Sequence, residues 1–95
     1  MTKTVNEEAK HEFLIRFGKH LKQKRQEKHL TQKEFVCRCN CDVKKVGPVE
    51  CGEYDFKISS LLVLAGGLNI SPFELLNFEF PNEIIDNFWI NDSKP

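Results

Sequence analysis

No stretch of these 95 residues is apolar for long enough to span a membrane, which takes roughly 18 consecutive apolar residues. The opening MTKTVNEEAK is polar and lacks the apolar segment of a secretory leader, so a cytoplasmic chain is expected. Net charge is missing as well. Fourteen Lys and Arg balance fourteen Asp and Glu, which argues against strong sequence-blind binding to nucleic acid. Neither a phosphate-cradling glycine loop nor a nucleophile elbow occurs. His11, His20 and His29 recur every nine residues, a step of about 180° around a helix, so they do not converge. Catalysis finds no candidate residues, and no cofactor, catalytic metal or small-molecule substrate is expected. No internal repeat or low-complexity segment is present, and the length suits one domain with a single modest core.

The charge that is present is divided unevenly. Residues 1–50 hold twelve Lys/Arg against seven Asp/Glu, and residues 51–95 hold two against seven. A basic first half suits counterion release at phosphates, with the acidic half facing away; a lysine-rich helix is equally a solvated face.

Helical signals dominate the pass along the chain. Residues 1–10 read as a loose polar arm, followed by an amphipathic helix from about His11 to Lys28 with Leu14, Phe17 and Leu21 on one face. Thr31 and Glu34 form a capping box that starts a second helix at Gln32, with Phe35, Val36 and Cys39 apolar. Asn40 suits a sharp turn over Cys39 to Cys41, and Asp42 caps a third helix whose inward positions are Val46 and Val49. Ile58 to Leu68 gives a fourth helix, with Gly66-Gly67 weakening or ending its last turn. Ser71-Pro72-Phe73-Glu74 reads as a second capping box with proline at the first helical position, opening a fifth helix that runs to about Phe78. The fold class expected is all-α, a compact five-helix domain.

Two short helices joined by a tight turn make a helix-turn-helix. The spacing from Thr31-Gln32 through Phe35-Val36, Asn40, Val46 and Val49 to Glu50-Cys51-Gly52 resembles the Cro and phage-repressor type, often called the XRE family. Its usual pattern is TQ-x-x-LA-x-x-x-G, then I-x-x-I/W-E-x-G. The agreement needs no gap there and extends to Phe17-Gly18, Leu21 and Arg25 upstream and to Leu61, Leu64-Ala65, Leu68 and Leu75-Leu76 downstream, over residues 13–78. Flanking elements in order make chance agreement rarer than for a bare motif. The resemblance implies a lambda-repressor-like domain over 11–78, double-stranded DNA as partner, a homodimer, and a sequence-specific, repressor-type transcription regulator that reads the major groove with helix 42–51.

Family positions carry over residue by residue. Thr31, Gln32 and Lys33 open helix 2, where backbone amides and the glutamine commonly meet a phosphate. Val43, Lys44 and Lys45 begin helix 3, with Gly47 and Pro48 one turn on, in the region facing base edges. Lys57 is a further contact. Arg25 and Glu50 occupy positions that form a buried ion pair in such proteins. Pro48 is the main departure: it has no amide for the Lys44 carbonyl, and many members carry a polar side chain there. Base reading then shifts to the first turn, the Lys57 region or DNA shape, or the fold serves as a protein-interaction module.

Cys37, Cys39, Cys41 and Cys51 allow a third reading, a thiol- or zinc-responsive regulator. C-x-C-x-C across a helix end points successive side chains apart, unlike zinc-knuckle pairs, and Cys39 and Cys41 stand at apolar positions of the pattern, where a thiol behaves as a small hydrophobe. Residues 79–95 lie outside the pattern and concentrate Phe80, Ile84, Ile85, Phe88 and Trp89. This extension either folds back over helices 1 and 5 or contributes to a dimer interface.

Overall fold

The computed structural model describes residues 4–39, 46–80 and 89–90. The first helix, α1, spans Glu7–Glu27 and begins four residues before the expected His11. Asn6 is the reason: its side-chain oxygen accepts from the amides of Glu8 (2.9 Å) and Ala9 (3.4 Å). Glu7 and Glu8 then set negative charge against the positive end of the helix dipole. Periodicity missed this turn because only Ala9 of residues 7–10 is buried. The expected arm of residues 1–10 is thus corrected to a shorter segment. Lys10 fastens the added turn, with Nζ 3.2 Å from Glu7 and 3.3 Å from Asp55. These bonds, Glu7 foremost, raise its pKa above the usual lysine value. Just ahead, β1 (Thr4–Val5) pairs antiparallel with β2 (Trp89–Ile90), Thr4 opposite Ile90 and Val5 opposite Trp89.

Helix α2 spans Gln32–Cys39. The capping box at its start is reciprocal: Glu34 N–H donates to Thr31 Oγ1 at 3.1 Å, and Thr31 N–H donates to Glu34 Oε1 at 2.8 Å. Helix α3 covers Val46–Glu50, α4 Ile58–Leu68 and α5 Pro72–Leu76. Of the expected turn over Cys39 to Cys41 only Cys39, the last residue of α2, is described; Asn40 and Cys41, and the expected start of the third helix at Asp42, Val43, Lys44 and Lys45, lie outside the described residues. Ser71 caps α5 by accepting from the Phe73 amide at 3.1 Å rather than from Glu74, so the expected reciprocal box with Glu74 is corrected to a one-sided cap, and that helix stops at Leu76, two residues short of the expected Phe78.

Three helices end in one way, on a residue with left-handed backbone followed by two returning amides. After α1, His29 has φ 60°, its amide bonds the Gln26 carbonyl at 2.9 Å and that of Leu30 bonds Arg25 at 3.2 Å. After α3, Gly52 has φ 77°, and the amides of Gly52 and Glu53 reach Val49 (3.0 Å) and Pro48 (2.9 Å). After α4, Asn69 has φ 57°, and the amides of Asn69 and Ile70 reach Gly66 and Ala65, both at 3.0 Å. Asn69 therefore closes α4 after Leu68, the expected bound, and Gly66-Gly67 lie inside the last turn without ending it. The helix continues through both glycines because Gly67 lies against α2: a methyl there would sit 2.7 Å from Cys39 Sγ and 2.8 Å from Phe35 Cε1.

Phe17, Leu21, Phe35, Val46, Val49, Leu61, Leu64, Ala65, Leu68 and Leu75 form the core. Leu14, expected with Phe17 and Leu21, is only half-buried. Gly18 allows α1 to cross α3 closely, since a methyl there would overlap the carbonyls of Val49 and Glu50. Beyond α5 the chain turns back onto α1. Phe78 and Phe80 each place their rings 5.3 Å from that of Phe13, within the range of favourable aromatic pairing. Ile84, Ile85 and Phe88 lie outside the described residues.

Gly18→Ala and Gly67→Ala should each lose stability, by about 1–3 kcal/mol for Gly67, where side chains can yield, and by more for Gly18, which meets backbone; urea denaturation measures both. Thr31, through its amide first and its hydroxyl second, lowers the Glu34 pKa. The cap should therefore stabilise fully above the ordinary carboxylate range and fade as pH falls through the depressed value. Glu34→Gln should flatten that acid limb in melts taken across pH.

Candidate nucleic-acid interface

Gln32 opens α2, and Gly47 and Pro48 lie on α3. What ties these two helices together is a buried joint at the end of α3. Arg25 Nε donates to Glu50 Oε2 at 2.7 Å and a terminal guanidinium nitrogen donates to Oε1 at 3.1 Å, with the two side chains 8% and 3% exposed. The fork geometry fits guanidinium to carboxylate. The second terminal nitrogen of Arg25 donates to the Leu30 carbonyl at 2.6 Å. Leu30 is the residue whose own amide returns to the Arg25 carbonyl, so backbone and side chain of Arg25 both hold the α1–α2 corner. Gln32 Nε2 donates to Glu50 Oε1 at 2.9 Å. No buried side-chain nitrogen or oxygen lacks a partner among the described residues.

The joint joins α1, the corner before α2, the first residue of α2 and the last of α3. It brings together Arg25, Gln32 and Glu50. Sequence reasoning placed Gln32 at a phosphate and missed its bond to Glu50. Positions 32 and 50 sit on different helices with no periodic relation, so no local signal could have shown it. Gln32 Oε1 lies 3.5 Å from where a side chain on Gly47 would begin, which sets the amide over the backbone of α3. Pro48 and Cys51 are exposed and Gly47 half-buried, so α3 shows solvent a short uncharged surface.

Exposed lysines stand on the elements before and after α3 in the chain. Lys33 on α2 and Lys57 just before α4 are exposed, and among the described residues neither joins an ion pair. Lys57 stands at the N-cap of α4 without a side-chain cap bond, and the first turn of that helix carries no acid. Its leading amides and the lysine therefore both favour an anion. Arg38 faces the other way, its Nε donating to the Gly67 carbonyl at 2.9 Å, where it holds the end of α4. Val43, Lys44 and Lys45 belong to the stretch outside the described residues.

The cysteines separate. Cys37 and Cys51 are exposed thiols, and Cys39 packs partly buried against the core; Cys41 lies outside the described residues. Among those residues no three His, Cys, Asp or Glu side chains gather as metal ligands, and no helix is long and apolar enough to cross a membrane.

No protein-family model matches the chain, and no curated protein does. Among solved structures it is similar to the restriction-modification controller protein C.AhdI from Aeromonas hydrophila. The two share 35% identity and a TM-score of 0.61, over 65% of this chain and 94% of that one.

Removing one partner of the joint strands a buried charge, a loss of ~3–5 kcal/mol. Arg25→Ala and Glu50→Ala should each lower the melting temperature sharply, and Arg25→Met/Glu50→Met should lose less than the two single changes together. Thermal melts followed by circular dichroism check this.

Proposed function

The chain belongs to the Cro/C-type helix-turn-helix family of XRE-like regulators, and from that membership we propose that it is a sequence-specific DNA-binding transcription regulator. It acts as a homodimer that occupies an operator in the manner of a repressor. The observation that carries the reading is the three-way joint. By tying Gln32 and Arg25 to Glu50, it fastens the start of α2 to the end of α3, and a groove-reading helix pair needs such a fixed relation. Residues 42–51 enter the major groove, with Val43, Lys44 and Lys45 toward base edges and phosphates. Thr31, Gln32, Lys33 and Lys57 position the protein on the backbone. Gly47 and Pro48 offer shape and apolar contact but no hydrogen-bonding side chain, so much of the readout falls to the first turn of that segment and to DNA shape.

The side-chain-poor surface of half-buried Gly47 and exposed Pro48 also suits a second reading, an interaction module without base readout. Selection from a random duplex pool, under reducing conditions at near-physiological salt, separates the two. Wild-type protein should recover a near-palindromic motif that Lys44→Ala/Lys45→Ala loses; folded wild-type protein that enriches nothing would sink the DNA reading. On the recovered site, Lys57→Ala should weaken binding across sequences and reduce the slope of log K against log salt by about 0.9.

A further inference from the structure

Resting on the DNA reading above, we propose that the C-terminal extension is a strap that holds the loop between α3 and α4, residues 53–57, and with it Lys57, in the position that meets the DNA backbone. It acts through the first half of α1, which strap and loop both grip.

The strap is fastened at two places. Near its start the Phe78 ring pairs with those of Phe13, Phe17 and His20, at centroid distances of 5.3, 6.4 and 5.6 Å, and Phe80 adds a second contact to Phe13. Positions 13, 17 and 20 share one face of the helix. On the same face His20 Nε2 donates to the Glu74 carbonyl at 2.7 Å, which brings α5 to the point where the strap departs. Farther along, Trp89–Ile90 pairs with Thr4–Val5, the two residues ahead of the Asn6 cap. The extension therefore holds α1 from His20 to beyond its first turn, about 20 Å of helix.

The loop holds the same half of α1 with two consecutive residues. Asp55 lies 3.3 Å from Lys10 Nζ, and the Phe56 ring is 4.7 Å from that of Phe17. Phe17 thus pairs with loop and strap alike. Lys57 comes next in the chain, at the N-cap of α4.

Without the strap the Lys10 bridge would hold little. The side chains of Lys10 and Asp55 are 34% and 65% exposed, and an exposed ion pair contributes little by itself. The turn that carries Lys10 buries only Ala9 among residues 7–10, and a helix end with so few buried contacts opens locally at small cost. Pairing of β1 with β2 removes that freedom, because the chain is pinned immediately ahead of the cap. The first turn stays wound, and Lys10 stays within reach of Asp55.

The test uses nitrogen-15 relaxation on the full chain, with circular dichroism as a control for folding. Trp89→Pro/Ile90→Pro removes both backbone donors of β2 and should leave the domain folded, since neither residue belongs to the core cluster. Backbone order parameters at residues 7–10 and 54–57 should fall from about 0.85 toward 0.6, while α2 and α4 keep theirs. Lys10→Met, with the strands intact, should loosen residues 54–57 alone. On the duplex that wild-type protein selects, the proline variant should bind about fivefold more weakly, and Lys57→Ala should cost it less than it costs wild-type protein. If residues 54–57 stay rigid in the folded proline variant, or if its affinity and its response to Lys57→Ala match the wild type, the strap has no hold on the loop while the DNA-binding regulator stands. Folded wild-type protein that selects no duplex overturns both.

Discussion

The geometry of this protein depends on the buried contact between Arg25 and Glu50. Such a pair contributes little net stability, because desolvating two ions offsets most of their attraction, yet it is damaging to break from one side. Here the charges are met almost completely. Glu50 accepts from two nitrogens of Arg25 and from Gln32, and the remaining arm of Arg25 goes to the Leu30 carbonyl. The result is directional where apolar packing is not: a guanidinium fork and an amide accept few orientations. Val46 and Val49 bury the inner side of α3, and the joint fixes the way that helix points.

Close approaches without side chains complete the frame. Gly18 and Gly52 bring α1 against the end of α3, where a methyl on Gly52 would meet the backbone of Ile15 at 2.7 Å. Gly67 seats α4 on Phe35 and Cys39. The short helix between these contacts is thereby held from its C-terminal end, so that its outer face is free for a partner. Pro48 is compatible with this arrangement because its carbonyl takes part in closing the helix, accepting from Glu53 at 2.9 Å. The missing amide falls toward the start of the described span, away from the joint.

Much of the fold was legible because it rests on local rules. The capping box of Thr31 and Glu34, the Ser71-Pro72 start and the spacing of Leu61, Leu64, Ala65 and Leu68 are relations between residues a few positions apart, and each holds in the structure. The misreadings are as instructive. Gly66-Gly67 was open to either weakening or ending the last turn, because glycine weakens helices in isolation; contact of Gly67 with α2 supplies what local propensity lacks, and the helix runs on to Leu68. The added first turn of α1 was hidden because its residues are polar and a single asparagine caps it.

The sequence by itself determined most of the helices, their inward faces and the family, since periodicity, caps and motif spacing are encoded within one or two turns. Only the tertiary structure decided which polar residues bond across the fold. Gln32, expected at a phosphate, bonds Glu50, and Arg38 on the same helix bonds the Gly67 carbonyl. It also settled that Phe78 and Phe80 pack on α1 while the outer row of α4 stays uncovered. The physical reason is the same in each case: a hydrogen bond or ring contact across 18 to 67 positions of chain depends on how helices cross, and no local pattern of residues records a crossing.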